Sequence, residues 1–287
     1  MDMTGIDVGS YEYMEAMAEL LSEAVSTEDG LKALASAIAA PIEQEIKRKE
    51  ITTMLLTKHN LPVGETPKYQ KKPRVKAYWI SKNGEAQESI LGEDEVEFPL
   101  HRVHSAPMVD ISSLKHGNMG TLVDIQKAAA NEIRKKIDRQ TIKVIGAAVP
   151  AENTVTVTGG KITEDALNEA ISILEDQELS ISTIVIRGAR FNDMRGWDLD
   201  PQTSHELRVK GIIKVFSGAN ILKTSAADLN EVLILPDEEI GKFAIRQQLT
   251  TESVRKALKF KTGWLVWMEV AQGVLRPDII GKVVIQP

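Results

Sequence analysis

One stretch restricts the possible folds of this chain more than any other. Between about Asn118 and Ala148, Leu122, Ile125, Ala129, Ile133, Ile137 and Val144 recur every three or four residues, with Thr141 filling the one gap. That spacing places them on a single face of an α-helix. Glu132, Arg134, Lys135, Lys136, Asp138 and Arg139 fall between them and are expected to cover the other faces. Thirty helical residues at ~1.5 Å each span about 45 Å. A helix of that length acts as a strut, and the rest of the fold must be laid along it.

The remainder of the chain is long enough to do so. The 287 residues are 43% hydrophobic and 26% charged, ordinary for a globular protein with a sizeable core. There is no cysteine, which removes disulfides and thiolate metal sites. The net charge of -6 argues against a surface that grips nucleic acid everywhere, although a local basic face remains compatible with it. The start, MDMTGIDVGSYEYMEAM, lacks the basic and apolar segments of a signal peptide. No apolar run approaches the ~18 residues of a membrane span. The expectation is a protein made in the cytoplasm, without a membrane partner.

Ahead of the strut, residues 10–57 carry helical patterning. Met14, Met17, Ala18 and Leu21 share a face, Gly30 interrupts, and Leu31, Leu34, Ile38, Ile42 and Ile46 continue past Pro41. Residues 58–76 hold three prolines and no helical period, which reads as an extended arm. This arm carries Lys58, Lys68, Lys71, Lys72, Arg74 and Lys76 against one acid, Glu65. Residues 74–104 read as a long β-hairpin. Val75, Ala77 and Trp79 mark the outward strand, Asn83-Gly84 is a strong turn signal, and Val96, Phe98 and Leu100 alternate on the return.

After Pro150 the pattern is mixed. A strand, VTVT, meets a Gly159-Gly160 turn. Thr163 then caps a helix whose first turn carries Glu164 and Asp165. Its apolar face is Ala166, Leu167, Ala170, Ile171 and Leu174, and STIVIRG follows as a strand. Further strand-like runs are IIKVFS, EVLILP, GWLVWMEV and IGKVVI. There is no internal repeat.

No nucleophile elbow, zincin helix or phosphate loop is present. Thr158-Gly159-Gly160-Lys161 lacks the spacing of a phosphate loop and reads as a tight turn. His101, His104 and His116 are the candidate metal ligands. A separation of three on a strand places His101 and His104 on opposite faces, which opposes joint ligation. Asp193, Asp198 and Asp200 near Trp197 match no calcium loop and read as a solvated turn. Trp264 and Trp267 read as core or subunit-contact aromatics. The expectation is no enzyme, no catalytic residue, no cofactor and no metal.

The order of these segments carries a resemblance. RVKAYWISKNGEAQESILGEDEVEF resembles the extended E-loop of Hong Kong 97-type capsid proteins of tailed bacteriophages. VHSAPMVDISSLKHGNMGTLVDIQKAAANEIRKKIDRQ resembles the strand and spine helix of their P-domain. ITEDALNEAISILEDQELSISTIVIRGARFNDMRG resembles the opening of their A-domain, and GWLVWMEVAQGVLRPDIIGKVVI their closing strands. The match runs over about residues 60–287 and implies an α+β, Hong Kong 97-like capsid fold. Its parts would be a helical N-terminal region and arm (1–73), an E-loop hairpin (74–104), a P-domain strand and spine helix (105–149), an A-domain (150–255) and closing strands (256–287).

The implied function is that of a major capsid protein, a virion component assembled in the host cytoplasm. Pentamers and hexamers of the chain would build an icosahedral shell around packaged double-stranded DNA. The 73 residues before the hairpin are fewer than the scaffolding domain of some members, so a separate scaffold, or none, is implied. Portal and decoration proteins are further partners the family allows. An encapsulin-like protein nanocompartment has the same fold texture, and an α/β enzyme without a motif is the alternative of another class.

Two sets of residues are singled out for that role. Leu122, Ile125, Ile133 and Ile137 are the expected core stripe of the spine helix. Lys68, Lys71 and Lys72 on the arm, with Glu93, Asp94 and Glu95 near the hairpin tip, are candidate contacts between subunits. Ten residues of strand carry the tip about 33 Å from the arm, so these charges are expected to meet across neighbours and not within one chain. The basic run reads as a solvated arm, or one paired with another subunit's acids, in preference to a DNA contact.

Overall fold

A computed structural model describes residues 27, 29–30, 46, 50–62, 64–71, 95–110, 119–194, 196–197, 215–256 and 261–287. The helical patterning expected before residue 50 lies almost wholly outside them. So do the outward strand with its Asn83-Gly84 turn, and Lys72, Glu93, Asp94, His116, Asp198 and Asp200.

The strut is a single 30-residue helix, Met119–Ala148, which follows a short helix, Thr52–Leu55; they are called α2 and α1 here. The buried side of α2 is Ala129, Ala130, Ile133, Ile137, Thr141, Ile142 and Ile145. Ile133 and Ile137 are each 1% exposed, and Ile125 packs against the same core from a half-buried position. The side chain of Leu122 is outside the described set. Asp138 does not join the exposed charges as the spacing suggested. It is buried, because α1 crosses α2 at that turn and covers a face that the apolar stripe alone leaves open.

Helix α2 lies on a sheet of five strands. The path is β1 (Thr57–Asn60), β11 (Gly241–Lys256), β12 (Lys261–Val274) and β4 (Leu100–Ser105), and β5 (Met108–Asp110) also pairs with β12. Strand β12 organises this sheet. Trp264, Val266, Met268 and Val270 alternate as buried residues, while Leu265, Trp267 and Glu269 face the other way and are half-buried. Gln272 of β12 donates to the Ile137 carbonyl of α2 at 3.3 Å, which ties helix to sheet. Strand β11 was not anticipated from the sequence. Its outer half, QQLTTESVRK, is polar, and its pairing comes from a long antiparallel ladder with β12.

A six-stranded mixed sheet forms the second layer, in the order β6-β13-β10-β7-β9-β8. The strands are β6 (Thr154–Val157), β7 (Ile181–Ile186), β8 (Val215–Phe216), β9 (Ala219–Lys223), β10 (Glu231–Pro236) and β13 (Gly281–Ile285). Helix α3, Glu164–Glu175, packs on β13 and β6. Thr163 caps it by accepting from the Ala166 N–H, and Ala166, Leu167, Ala170, Ile171 and Leu174 are its buried face. Gly159 and Gly160 turn the chain at positive φ of 100° and 69°, where a side chain would be strained. A last helix, α4 (Gly188–Met194), buries Phe191 and Met194. The main core runs continuously from α2 through both sheets. No helix among the described residues is long and apolar enough to cross a membrane.

Candidate assembly surfaces

Three local arrangements bring charged, polar and aromatic side chains together at the joints of this fold. The first is the root of the hairpin. Strand β2 (Lys68–Gln70) pairs antiparallel with β3 (Glu95–Glu97), with Lys68 opposite Glu97, Tyr69 opposite Val96 and Gln70 opposite Glu95. The return run 95–104 is therefore two strands with different partners, since β4 joins β12. Between them the Pro99 position breaks the run, and Phe98 turns inward to 3% exposure. Gly273 leaves the space that the ring fills. A Cβ there would stand 2.2 Å from the Phe98 ring. Leu61, Ala244, Ala271 and Leu275 complete this small second core, and Tyr69 packs against Phe98 with ring centroids 5.0 Å apart.

This ladder corrects the charge geometry expected from the sequence. Lys68 and Glu95 belong to adjacent strands of one chain, and Lys68 stands 4.0 Å from Glu97 of the same ladder. The expected separation of about 33 Å took the outward strand to begin near residue 74. In the structure the pairing starts six residues earlier, at Lys68, so arm and return strand touch within a subunit. Lys71 is exposed beside this ladder.

The second arrangement is the junction of α1 with α2. Asp138 is 4% exposed and accepts from the Ile51 N–H at 3.2 Å, the Thr52 N–H at 3.2 Å and the Thr52 hydroxyl at 3.0 Å. It thereby caps α1, whose own N-cap residue Ile51 offers no side-chain bond. The Thr52 hydroxyl oxygen also lies 2.9 Å from the Thr141 hydroxyl, whose single proton serves either Thr52 or the Ile137 carbonyl at 3.1 Å. Burial raises the Asp138 carboxyl above its ordinary range, against the opposing pull of the Thr52 and Ile51 hydrogen bonds and of Arg134, 4.0 Å away. The sequence held a signal for this site: Thr141 standing within the apolar stripe, one turn from Asp138.

The third is the sheet face turned away from α2. Glu269 on β12 is flanked by Arg102 on β4 and Arg246 on β11. Arg102 donates through Nη2 at 2.6 Å and Nε at 3.2 Å, and Arg246 through Nη2 at 2.8 Å and Nε at 2.9 Å. These bonds, Arg102 first, hold the Glu269 carboxyl below its ordinary range. The Arg102 guanidinium also lies 4.5 Å over the Trp267 ring, whose Nε1 donates to Glu252 at 3.2 Å. Trp264, three residues away, points to the opposite side and is 1% exposed.

The remaining candidates are dispersed. His101 and His104 are exposed on β4, and no three metal-ligating side chains come together among the described residues. Asp193 pairs with Arg190 at 3.4 Å. Arg190 in turn donates to the carbonyls of Gly160 and Leu229, which fixes the Gly159-Gly160 turn against the start of β10.

Comparison with known proteins adds the final finding. No protein-family model and no curated protein matches the chain. Solved structures do. A Microbacterium phage Oxtober96 structure aligns at a TM-score of 0.66 and 13% identity, over 83% of this chain and 91% of that one. The mature capsid of bacteriophage PhiM1 aligns at 0.63 and 9% identity, over 83% and 87%. A virus-like particle from Pyrococcus furiosus aligns at 0.58 and 16% identity, over 87% and 99%. At these identities the likeness is one of fold.

Proposed function

We propose, from the Hong Kong 97-like fold that this chain has, that it is a major capsid protein whose copies assemble an icosahedral shell around double-stranded DNA. The observation that carries the reading is the extent of the match, which covers 91% of the phage Oxtober96 chain with a TM-score of 0.66. The local geometry agrees with a load-bearing part. A helix of about 45 Å backs a sheet whose far face carries a rigid Arg102–Glu269–Arg246 network. Heterologous contacts between such bodies close into rings when the rotation between them closes. In this reading the arm and the E-loop lie over neighbours, and the shell forms in the host cytoplasm.

Negative-stain microscopy of the purified protein tests the reading: uniform hollow icosahedral particles are expected. A monodisperse small species under all assembly conditions would refute it. A second reading is an encapsulin-like compartment, favoured by the likeness to the Pyrococcus furiosus virus-like particle. Cargo separates the two. Nuclease-protected DNA of defined length supports the viral shell, and a co-purifying protein inside the particle supports the compartment.

A further inference from the structure

The exposed side of α2 is charged in one sense. Lys135, Lys136, Arg139 and Lys143 are all exposed. Lys136, Arg139 and Lys143, at spacings of three, four and seven residues, share one stripe with Lys135 beside it, on the side away from Ile133 and Ile137. From first to last they cover about 12 Å of helix axis. Glu132 is the one exposed acid on the described part of this face, and Lys135 occupies it at 2.7 Å. Among the described residues no ion pair within 4.0 Å engages Lys136, Arg139 or Lys143. The Glu132 carboxyl is held below its usual range, first by Lys135 and then by Arg139 and Lys136. This concentration of cations occurs in a chain whose net charge is -6.

The stripe runs into a cleft of about 640 Å³ between the C-terminal half of α2 and the six-stranded sheet. Arg139 and Lys143 line one wall, and Arg187 and Lys282 line the other. Glu231 is already taken by Lys282 at 3.6 Å, and Lys282 also donates to the Gly146 carbonyl at 2.9 Å. Asp228 is the other acid at the margin.

We infer that this face of α2 is the side of the subunit that lies against the phosphate backbone of double-stranded DNA, with Lys136, Arg139 and Lys143 as the contacts. The inference rests on the shell reading and adds to it the orientation of the subunit: the α2 stripe faces the lumen. The partner's chemistry follows from what the face lacks. Stable protein interfaces centre on apolar and aromatic anchors. The large exposed hydrophobic residues of the described set are Met54 and Leu229, and neither is on α2. A row of cations on a helix with no exposed large apolar residue among its described side chains suits a polyanion whose charge is spaced regularly and read without base contacts.

The test compares three proteins: wild type, a triple Lys136→Gln, Arg139→Gln, Lys143→Gln variant, and a control with Lys161→Gln and Lys261→Gln, which neutralises exposed cations elsewhere. The probe is a fluorescent duplex of about 20 base pairs and arbitrary sequence, titrated between about 50 and 200 mM salt. The triple variant should bind at least tenfold more weakly at low salt. Its slope of log affinity against log salt should be shallower by about 2.7, at ~0.9 per lost phosphate contact. The control should match wild type in both. Equal binding by wild type and triple variant, or an equal loss in the control, overturns the inference. The same proteins are imaged for shells. Absence of shells from wild type counts against the shell reading and leaves the titration interpretable. Loss of shells in the triple variant alone, with DNA binding unchanged, identifies the stripe as a protein contact and also overturns the inference.

Discussion

Asp138 offers the sharpest test of how the N-terminal segment is fastened to the body. Replacing it with Ala strips three donors of their acceptor: the Ile51 and Thr52 N–H groups and the Thr52 hydroxyl. The hydroxyl keeps Thr141, and Ile51 is only half-buried, so water can reach its N–H. Thr52 is fully buried, and its N–H has no other acceptor among the described residues. One fully stranded donor costs ~1–3 kcal/mol, and that is the expected loss for Asp138→Ala. Asp138→Asn keeps an oxygen acceptor of the same shape and removes the charge that burial penalises. It should lie within about 1 kcal/mol of wild type at neutral pH.

The pH dependence has a definite sign. The folded carboxyl titrates above its unfolded value, so its favourable contribution is complete below the ordinary Asp range and is lost as pH rises through the raised value. Wild type should therefore lose stability relative to Asp138→Asn between acid and neutral pH, and the difference should then level off. Urea unfolding of unassembled subunits, followed by tryptophan fluorescence at several pH values, measures this directly. Equal destabilisation by Ala and Asn would refute the capping role. A wild type that gains on Asn as pH rises would refute the dominance of burial over the hydrogen bonds.

The other expectations are as direct. Gly273→Ala places a methyl group against the Phe98 ring, where a Cβ would stand 2.2 Å away; overpacking of this kind typically costs ~1–3 kcal/mol, and Phe98→Leu in the same chain should recover part of the lost melting temperature. Glu269→Gln weakens two charge-assisted contacts at a cost of about 1 kcal/mol or less, since Arg102 is well exposed. Because the Glu269 pKa is lowered, its stabilisation is present above the ordinary Glu range and lost as pH falls through the folded value, so wild type and Gln variant should converge in unfolding experiments at strongly acid pH. Ile133→Asp puts a carboxylate at a position 1% exposed and should cost several kcal/mol, seen as insoluble subunit on expression.

What the sequence made legible follows from where one period dominates. The α2 stripe, the Thr163-capped helix and the Gly159-Gly160 turn each rest on local rules of spacing, capping and positive φ, and the structure places helix, cap and turn there. Strand β11 was illegible because its polar outer half alternates nothing. It is a strand because β12 pairs with it from Gly241 to Lys256. Asp138 was misplaced for a related reason. A helical wheel knows one partner surface, and α2 has two, the sheet along one side and α1 across another. The β2–β3 ladder escaped because Pro67 and Pro73 made the arm look unpaired, while Lys68, Tyr69 and Gln70 lie between them. For Asp138 and the β2–β3 ladder the missing information was a contact made far along the chain, and for β11 it was the next strand of its own hairpin.

The two segments that the sequence assigns to neighbour contacts, the N-terminal region and the hairpin beyond residue 71, join the body through roots of opposite chemistry. One root is polar, Asp138 holding Thr52. The other is apolar, Phe98 seated over Gly273. A surface ion pair between neighbours is worth only ~0.2–1 kcal/mol, and it stiffens a shell only if the segment bearing it cannot swing. Loosening a root therefore removes the benefit of the contact at the tip without touching the tip. Changes at root and tip that share no partner should add in the unfolding free energy of a single subunit. They should not add in the thermal stability of an assembled shell. Combining Phe98→Leu with reversal of Glu85 and Glu88, the acids next to the Asn83-Gly84 turn in the sequence, to Lys gives the cycle: the tip reversal should weaken shells built on a sound root and have little further effect on shells built on a loosened one. Full additivity in the shell would mean that the tip charges act independently of the root, and would separate subunit stability from shell stability altogether.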